Sequence, residues 1–320
     1  MVDTAKRDIT VVGAGFMGTV IATLYARHGY RVRITDVASE ALETFRARAK
    51  PIAESLVDNQ LDSDTILASV ETESDLDKAI RYSFFVHEAI HENLEAKQQL
   101  FAKLDEACPS AVVLGTNTSS YRLSEICRHV RQRDRVIGVH YVTPAHIVNI
   151  VELITAEFTP KALVEWGLNF LKTIKHVGVV CTDEPGFLIN RLQYALLSEA
   201  YRIVEEGIAS RDDLDKAVRL SLGPRLALWG PLFTEDLVVS KKTSAPIWDY
   251  LYEKTRDEKF RRPAAITKFV ESCRLGAITG EGWYRFDADY ASIVLSRDAQ
   301  LKSLLNWLTQ NDRLDEFKAS

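Results

Sequence analysis

Two residues with the chemistry of a proton-transfer pair stand in short apolar stretches. His140 closes the strand-like run 135–139, and Glu152 lies inside the apolar run 150–154. Histidine titrates near neutral pH and can take a proton from a hydroxyl group. A carboxylate in an apolar run costs free energy unless it is paired, and pairing with His140 would let Glu152 fix the imidazole tautomer and balance its charge. The residues alone leave a second interpretation open, in which the two side chains are unrelated.

A glycine-rich segment near the start of the chain has the spacing of a dinucleotide-binding turn. The pattern is G-x-G-x-x-G, with Gly13, Gly15 and Gly18 at the fixed positions and Phe16 and Met17 between the last two. The first glycine allows the tight turn, the second lets the backbone approach a pyrophosphate, and the third lets the helix pack close to the sheet. The pyrophosphate would sit on unpaired amides at the helix N-terminus.

The next acidic residue along the chain indicates which dinucleotide is bound. Asp36 ends the second predicted strand, roughly 20 residues after Gly13, and Val37 rather than a basic residue follows it. A carboxylate at this point accepts hydrogen bonds from ribose hydroxyls and repels a 2′-phosphate. We therefore predict NAD as the cofactor. Its chemistry is hydride transfer, which needs a base such as His140 for the hydroxyl proton.

The elements that must position these residues follow from the pattern of apolar runs. Alternating strand-like and helix-like runs in the first half predict an α/β fold with a Rossmann-like, doubly wound sheet. The predicted strands are 9–12, 31–35, 66–70, 82–86, 111–115, 136–140, 149–154 and 177–181, and the predicted helices are 16–28, 39–57, 93–108 and 161–172. His140 would then lie at the carboxyl edge of the sheet, where such folds bind ligands.

The pattern changes near residue 184. Strand-like runs disappear, and long amphipathic runs follow at 190–206, 211–221, 247–259 and 263–272, with a further predicted packing helix at 295–317. We therefore expect a NAD-binding Rossmann-type domain at 1–184 and an all-helical domain at 185–320.

Composition excludes several other classes of protein. Forty Lys and Arg against 45 Asp and Glu give a net charge of −5, whereas a nucleic-acid-binding protein needs a basic excess or a basic face. No apolar run approaches the roughly 20 residues that span a bilayer, and the opening residues are too polar for a secretory signal. The four cysteines lie far apart, without the spacing of metal ligands. We expect a cytoplasmic protein that binds no nucleic acid, membrane or metal.

Taken together, the motifs resemble the L-3-hydroxyacyl-CoA dehydrogenase superfamily over roughly residues 8–286. The segments that carry the resemblance are the glycine-rich turn, residues 88–93 (EAIHEN), 117–120 (NTSS), His140 spaced from Glu152, 185–191 (PGFLINR) and 276–284 (GAITGEGWY). Residues 190–195 and 204–207 and the run 230–232 resemble the gulonate dehydrogenase (lambda-crystallin) branch. The motif at 279–284 is similar to the acyl-CoA branch.

The resemblance implies a role for each matching catalytic position. His140 would be the general base and Glu152 its orienting partner. Ser119 and Asn190 would hydrogen-bond the reacting oxygen. The implied reaction is reversible, NAD-dependent oxidation of the 3-hydroxyl of a 3-hydroxyacyl thioester to the 3-keto product. The family also implies a homodimer, with the helical domain supplying the dimer contact and the substrate cleft.

Further positions would contact the cofactor. Glu92 and Lys97 would hold the nicotinamide ribose, and Ser119 would lie near the nicotinamide. Thr143 stands where the family usually has Asn. It keeps a hydroxyl but loses the amide's two donors and carbonyl, so the usual contact to cofactor or substrate is altered.

The substrate stays open between several alternatives. Basic residues at 46, 48 and 50 are followed by acidic ones at 58, 62 and 64, which would repel the phosphates of coenzyme A if they faced them. The alternatives are a free 3-hydroxy acid resembling gulonate or carnitine, a carrier-protein-bound hydroxyacyl group, and a crystallin-like or NAD-sensing protein with little turnover. A dehydrogenase using a catalytic lysine (Lys216, Lys241 or Lys242) is disfavoured because none of the three lies in a recognisable motif.

Overall fold

A single eight-stranded sheet forms the centre of the first half of the chain. The computed structural model describes residues 8–57 and 61–310. The strands are β1 (Asp8–Val12), β2 (Arg31–Thr35), β3 (Val70–Thr72), β4 (Phe85–Glu88), β5 (Val113–Thr116), β6 (Val136–Tyr141), β7 (Ile150–Thr155) and β8 (Val177–Thr182). Their order in the sheet is β3-β2-β1-β4-β5-β6-β7-β8. All neighbours are parallel except β6 and β7, which are antiparallel.

Helices cover both faces of this sheet and then make up the rest of the described chain. Those that connect or follow the strands are α1 (Phe16–Arg27), α2 (Ser39–Glu43), α3 (Phe45–Ser55), α4 (Ser63–Ala68), α5 (Leu76–Ile80), α6 (Leu94–Ala107), α7 (Leu123–Ile126), α8 (Lys161–Thr173) and α9 (Ile189–Glu205). The later ones are α10 (Arg211–Ala217), α11 (Gly223–Val238), α12 (Lys241–Thr255), α13 (Ala264–Glu271) and α14 (Tyr290–Gln310). The predicted fold class, a doubly wound α/β sheet followed by a helical domain, is confirmed.

The strand order reverses between β1 and β4, and this reversal positions the site. Chains leaving the carboxyl ends of these two strands turn to opposite faces of the sheet, which opens a crevice there. The glycine-rich turn follows β1, and the loop that carries Glu92 follows β4. The residues that the sequence marked as cofactor-binding therefore gather at one edge of the sheet.

Two apolar clusters hold the helices against the sheet. One packs side chains of α1, α3 and α8 on one face, including Tyr25, Phe45 and Phe170. The other packs α6 and α7 on the opposite face, including Phe101 and Leu123. Burial on both faces explains why the strands read as continuous apolar runs and not as alternating ones.

One predicted strand is wrong. Most of the predicted strand 66–70 is helix α4, and the third strand begins only at Val70. The Asp62 carboxylate accepts a hydrogen bond from the Thr65 amide at 2.7 Å, which caps the helix. This capping contact outweighs the strand preference of the short apolar run Ile66–Leu67. Asp58, from the same acidic stretch, lies outside the described residues.

Other differences concern the bounds of helices. The predicted helix 39–57 is two helices, α2 and α3, separated at Thr44, and α11 was not predicted. Its two glycines and two prolines disfavour a helix, and it is in fact kinked at Gly230. In the predicted tail helix, α14 covers Tyr290–Gln310, and residues 311–317 lie outside the described part of the chain.

The chain divides into two compact units, the first ending at Leu197 and the second starting at Ser198. In the second unit, Asp236 pairs with Lys241, whose side chain is fully buried. Asp236 Oδ2 also accepts a hydrogen bond from the Tyr284 amide at 2.9 Å. A Cβ at Gly282 would lie 2.4 Å from Asp236 Oδ1. The glycine-rich run 276–284 therefore packs over a buried ion pair. Lys241 is the cation of that pair.

Among the described helices, none combines the length and the apolar character that crossing a bilayer requires.

Candidate active site

The turn between β1 and α1 shows why glycine is needed at two of its three positions. Gly13 has φ of +107°, and a Cβ there would lie 2.5 Å from the Ala89 carbonyl oxygen. A Cβ at Gly18 would lie 1.8 Å from the Gly13 carbonyl oxygen. At Gly15 a Cβ would meet no atom within 4 Å. The first and third glycines are thus required by packing, whereas the second leaves open space in front of the helix N-terminus.

A cavity of about 760 Å³ lies in front of this turn. Its lining includes Gly13, Gly15, Phe16, Met17 and Asp36. The free space at Gly15 and the helix N-terminus behind it suit a pyrophosphate. These residues fit a dinucleotide with its phosphates on the turn and a ribose at Asp36.

The Asp36 carboxylate is held in place by the backbone. One oxygen accepts a hydrogen bond from the Ala14 amide at 2.6 Å, and the other accepts one from the Ala38 amide at 2.9 Å. The side chain is half-buried at the cavity wall. A carboxylate fixed in this way keeps acceptor capacity for ribose hydroxyls.

The contrast between two glycines of the turn gives a matched test. We expect Gly15→Ala to leave the free energy of unfolding within about 1 kcal/mol of wild type but to weaken NADH binding about tenfold or more, because the methyl group enters the pyrophosphate space. Gly18→Ala should lower the free energy of unfolding by about 3 kcal/mol, because its Cβ collides with backbone. Urea unfolding and NADH fluorescence titration measure the two effects. Equal unfolding free energies for the two variants would contradict this account.

His140 and Glu152 face each other across the antiparallel pair β6 and β7. The register places them directly opposite, and His140 Nδ1 lies 2.7 Å from Glu152 Oε2. The other oxygen of Glu152 accepts hydrogen bonds from the amides of Leu188 and Ile189 at 2.9 and 2.8 Å. The Glu152 side chain has no exposed area. The two residues are therefore brought together, as the sequence interpretation required.

These contacts set the ionisation of the glutamate. Burial alone would raise the pKa of Glu152. The hydrogen bonds from His140 and from the two backbone amides outweigh burial, so its pKa lies below the ordinary value for glutamate. Glu152 is therefore a carboxylate at neutral pH, and His140 Nδ1 must carry the proton that it shares with this oxygen.

The opposite nitrogen of the same imidazole faces Ser119. His140 Nε2 lies 3.0 Å from Ser119 Oγ, and the Phe187 ring packs beside the imidazole at 5.9 Å between centroids. In the neutral imidazole with its one proton on Nδ1, Nε2 has a free lone pair and can accept from the serine hydroxyl. A lone pair on a nearly buried imidazole, backed by a carboxylate, can remove a proton from an alcohol.

Asn190, in the first turn of α9, contacts the loop that carries Ser119. Its side-chain amide donates to the Ser119 carbonyl oxygen at 3.0 Å. Thr143 Oγ1 contacts Met17 Sδ at 3.4 Å. Thr143 thus lies beside the glycine-rich turn. The ligand contacts proposed for Asn190 and Thr143 stay predictions.

Glu92 and Lys97 lie together beside the loop that carries Ser119. Lys97 Nζ lies 3.0 Å from Glu92 Oε2, and Glu92 Oε1 accepts from the Ser119 amide at 2.8 Å. The Lys97 side chain is 1% exposed, so its ammonium is enclosed by protein groups. The ribose contacts implied for both residues stay predictions.

A third charged residue of this group, Glu88, was missed in the assignment of site residues. It ends β4, its side chain has no exposed area, and it lies 2.6 Å from Lys97 Nζ. The signal was the same one that singled out Glu152: an acidic residue at the end of an apolar strand needs a partner. The described residues contain no cluster of three or more ligand side chains able to hold a metal ion.

A base backed by a carboxylate, at the same sheet edge as a cavity that fits a dinucleotide, is the arrangement of a nicotinamide-dependent dehydrogenase of alcohols. The chain belongs to the 3-hydroxyacyl-CoA dehydrogenase family. Residues 8–184 match the family model "3-hydroxyacyl-CoA dehydrogenase, NAD binding domain", and residues 186–286 match the model of the C-terminal domain. The family resemblance seen in the sequence is confirmed, and so is the prediction of NAD as cofactor.

Individual relatives agree with this assignment at modest identity. A mitochondrial hydroxyacyl-coenzyme A dehydrogenase of Sus scrofa is 31% identical, covering 88% of this chain and 91% of its own length. A probable 3-hydroxybutyryl-CoA dehydrogenase of Bacillus subtilis is 31% identical, covering 88% and 98%. The crystal structure of a 3-hydroxyacyl-CoA dehydrogenase of Archaeoglobus fulgidus superposes with a TM-score of 0.81 at 28% identity, covering 95% and 99%.

Proposed function

We propose that this dehydrogenase oxidises the 3-hydroxyl group of a 3-hydroxyacyl-CoA thioester to the 3-keto product, with NAD as the hydride acceptor. The observation that carries the proposal is the line of contacts from Glu152 through His140 to Ser119 at the sheet edge that also holds the dinucleotide turn. The substrate class comes from the names of the relatives. The same residues serve the reverse reduction.

Each residue of the chain has a defined task in the reaction. When bound, the nicotinamide accepts or returns a hydride. His140 Nε2 takes the hydroxyl proton, and Glu152 stabilises the imidazolium that forms. With substrate bound, the Ser119 hydroxyl turns from His140 Nε2 and donates its one proton to the reacting oxygen, while Asn190 holds the backbone of the Ser119 loop. Burial of His140 and Glu152 strengthens these electrostatic interactions because little water screens them.

The charged residues at 46–64 would attract or repel the phosphates at the nucleotide end of a CoA thioester. Arg48 is occupied within the fold, since its guanidinium donates to Thr19 Oγ1 at 2.7 Å and to the Ala41 carbonyl at 2.6 Å. Arg46 and Lys50 are exposed on α3. Asp62 caps α4, so its carboxylate has a structural partner. Among the described residues of this stretch, Arg46 and Lys50 are therefore the exposed cations that would be available to CoA phosphates, while Asp62 keeps its negative charge as a helix cap.

A parallel substrate panel tests the proposal. NADH formation is followed with 3-hydroxybutyryl-CoA, its carrier-protein analogue, L-gulonate and L-carnitine under identical conditions. The proposal predicts the highest kcat/KM for the CoA thioester. A higher kcat/KM for a free hydroxy acid or the carrier-bound thioester would overturn the CoA assignment, and NADH binding without turnover on any of the four would overturn the proposed reaction.

We further propose that the protein is a homodimer, as the family resemblance implied. The support is the apolar surface of α9, on one side of which Tyr194, Leu197 and Tyr201 are 66%, 37% and 67% exposed. Such an exposed apolar stripe is typical of an interaction surface. Light scattering at micromolar concentration should give twice the mass of one chain, and the mass of a single chain would contradict the proposal.

A further inference from the structure

Glu88 is a buried carboxylate whose hydrogen bonds all go to other residues of the site region. Its Oε1 accepts from Lys97 Nζ at 2.6 Å and from the Ile90 amide at 2.8 Å. Its Oε2 accepts from Thr116 Oγ1 at 2.6 Å. Burial raises the pKa of Glu88, while Lys97 and these hydrogen bonds oppose that rise. A carboxylate without exposed area is costly unless such partners hold it.

The ammonium of Lys97 lies between two carboxylates. Besides the contact with Glu88, it lies 3.0 Å from Glu92 Oε2. One positive charge is therefore shared by two negative ones, and its position depends on both. Removing the charge of Glu88 would let the ammonium move fully towards Glu92, because Coulomb attraction to the remaining carboxylate is then unopposed.

The other oxygen of Glu92 holds the loop after β5. Glu92 Oε1 accepts from Thr118 Oγ1 at 2.7 Å, from the Ser119 amide at 2.8 Å and from the Ser120 amide at 3.0 Å. Ser119 in turn contacts His140 Nε2. A displacement of the Glu92 carboxylate would therefore reach the hydroxyl that faces the catalytic base.

We propose that Glu88 is a positioning residue of the dehydrogenase site, acting through Lys97 and Glu92 to fix the Ser119 loop against His140. The inference rests on the proposed function for its kinetic consequence, and on the geometry alone for its effect on the loop. Glu88 touches neither Ser119 nor His140, so its effect on the reaction is indirect. It also gives Lys97 a task inside the protein, in addition to the ribose contact that the family implies.

The first test is Glu88→Gln, which keeps the shape of the side chain and removes its charge. We expect kcat to fall about tenfold, as for a coupled neighbour of a catalytic group. The matched control is Asp105→Asn. Asp105 forms a similarly buried ion pair with Arg135 at 2.8 Å, with side chains 5% and 6% exposed, but this pair has no contact with the Ser119 loop. The control should leave kcat unchanged, and an equal fall in both variants would overturn the inference.

A double-mutant cycle separates positioning from general destabilisation. If Glu88 acts through Ser119, its replacement in a Ser119→Ala background should lower kcat by less than about twofold, because the contact it supports is already gone. If Glu88→Gln lowers kcat tenfold in the Ser119→Ala background as well, the two effects are independent, and Glu88 acts by a route other than Ser119.

A readout without turnover keeps the inference testable if the proposed reaction fails. Hydrogen exchange of the Ser119 and Ser120 amides, both bonded to Glu92, should be about tenfold faster in Glu88→Gln than in wild type, and unchanged in Asp105→Asn. If Glu88→Gln does not fold, Lys97→Met with Glu88→Leu removes both charges of the buried pair and should give the same faster exchange. Unchanged exchange at these amides would overturn the inference. Absence of NADH formation by wild type would instead overturn the proposed function.

Discussion

Replacement of His140 by glutamine should lower kcat by about 10²–10⁴ while NADH affinity stays within about twofold of wild type. Glutamine can still accept a hydrogen bond from Ser119, but it cannot take a proton from an alcohol. The imidazole is not part of the lining of the dinucleotide cavity, so binding of the cofactor should not depend on it. Stopped-flow or steady-state NADH formation gives kcat, and fluorescence titration gives the NADH affinity.

The control for this variant is His129→Gln. His129 is exposed in the short turn Cys127–His129, outside the site, and its replacement should leave both quantities unchanged. Wild-type turnover by His140→Gln would remove His140 as the base. A large loss of NADH affinity together with turnover would indicate that the residue serves cofactor binding instead.

Glu152→Gln is expected to have the second largest effect, a fall in kcat of about 10²–10⁴ caused by the wrong imidazole tautomer. The Leu188 and Ile189 amides donate to one oxygen of the residue, so the glutamine carbonyl should face them. Its NH₂ group then faces His140 Nδ1, which must become an acceptor. The proton moves to Nε2, and the lone pair needed for catalysis is lost.

The control for Glu152→Gln is the same substitution at an exposed glutamate. Glu165, 61% exposed on α8, should tolerate the same Glu→Gln change without loss of kcat. Protein NMR of the imidazole nitrogens can report the tautomer directly in both variants. An Nδ1-protonated imidazole in Glu152→Gln with reduced kcat would refute the tautomer explanation.

The ionisation of Glu152 also predicts a pH dependence of stability. Because its pKa is lowered in the folded protein, the carboxylate stabilises the fold above the ordinary glutamate pKa of about 4.3. This contribution is lost as the pH falls through the lower, folded-state pKa. The difference in free energy of unfolding between wild type and Glu152→Gln should therefore shrink in acid. Urea unfolding between pH 3 and pH 7 measures it, and a constant difference would contradict the assignment.

Much of the fold was predictable because apolar runs and turn residues act locally. Seven of the eight strands lie within a few residues of their predicted positions. The failure at 66–70 shows the limit of this approach. An apolar run of that length suits either a strand or a buried helix, and the hydrogen bond from the Thr65 amide to Asp62 decided for the helix.

Candidate site residues were predictable where their type is unusual for their surroundings. Gly13, Gly15 and Gly18 have the spacing of a phosphate-binding turn, and Asp36 follows at the distance expected for a ribose contact. His140 stands at the end of an apolar run and Glu152 within one. Glu88 has the same property but went unnoticed, because its partner Lys97 comes from the following helix and looks in the sequence like an exposed helix residue. In the structure that lysine is enclosed.

The sequence by itself determined the cofactor class and which functional groups are available for proton transfer, since these depend on the residues that the chain contains and on local turns. Tertiary structure decided which groups meet. The antiparallel return of β7 sets residue 152 opposite residue 140. The sheet edge brings the loops after β4 and β5 together, where the Glu92 carboxylate contacts both the Lys97 ammonium and the Ser119 amide. Such contacts depend on strand register and on which buried charges from distant segments pair with each other. The spacing of neighbouring residues in the sequence does not encode either.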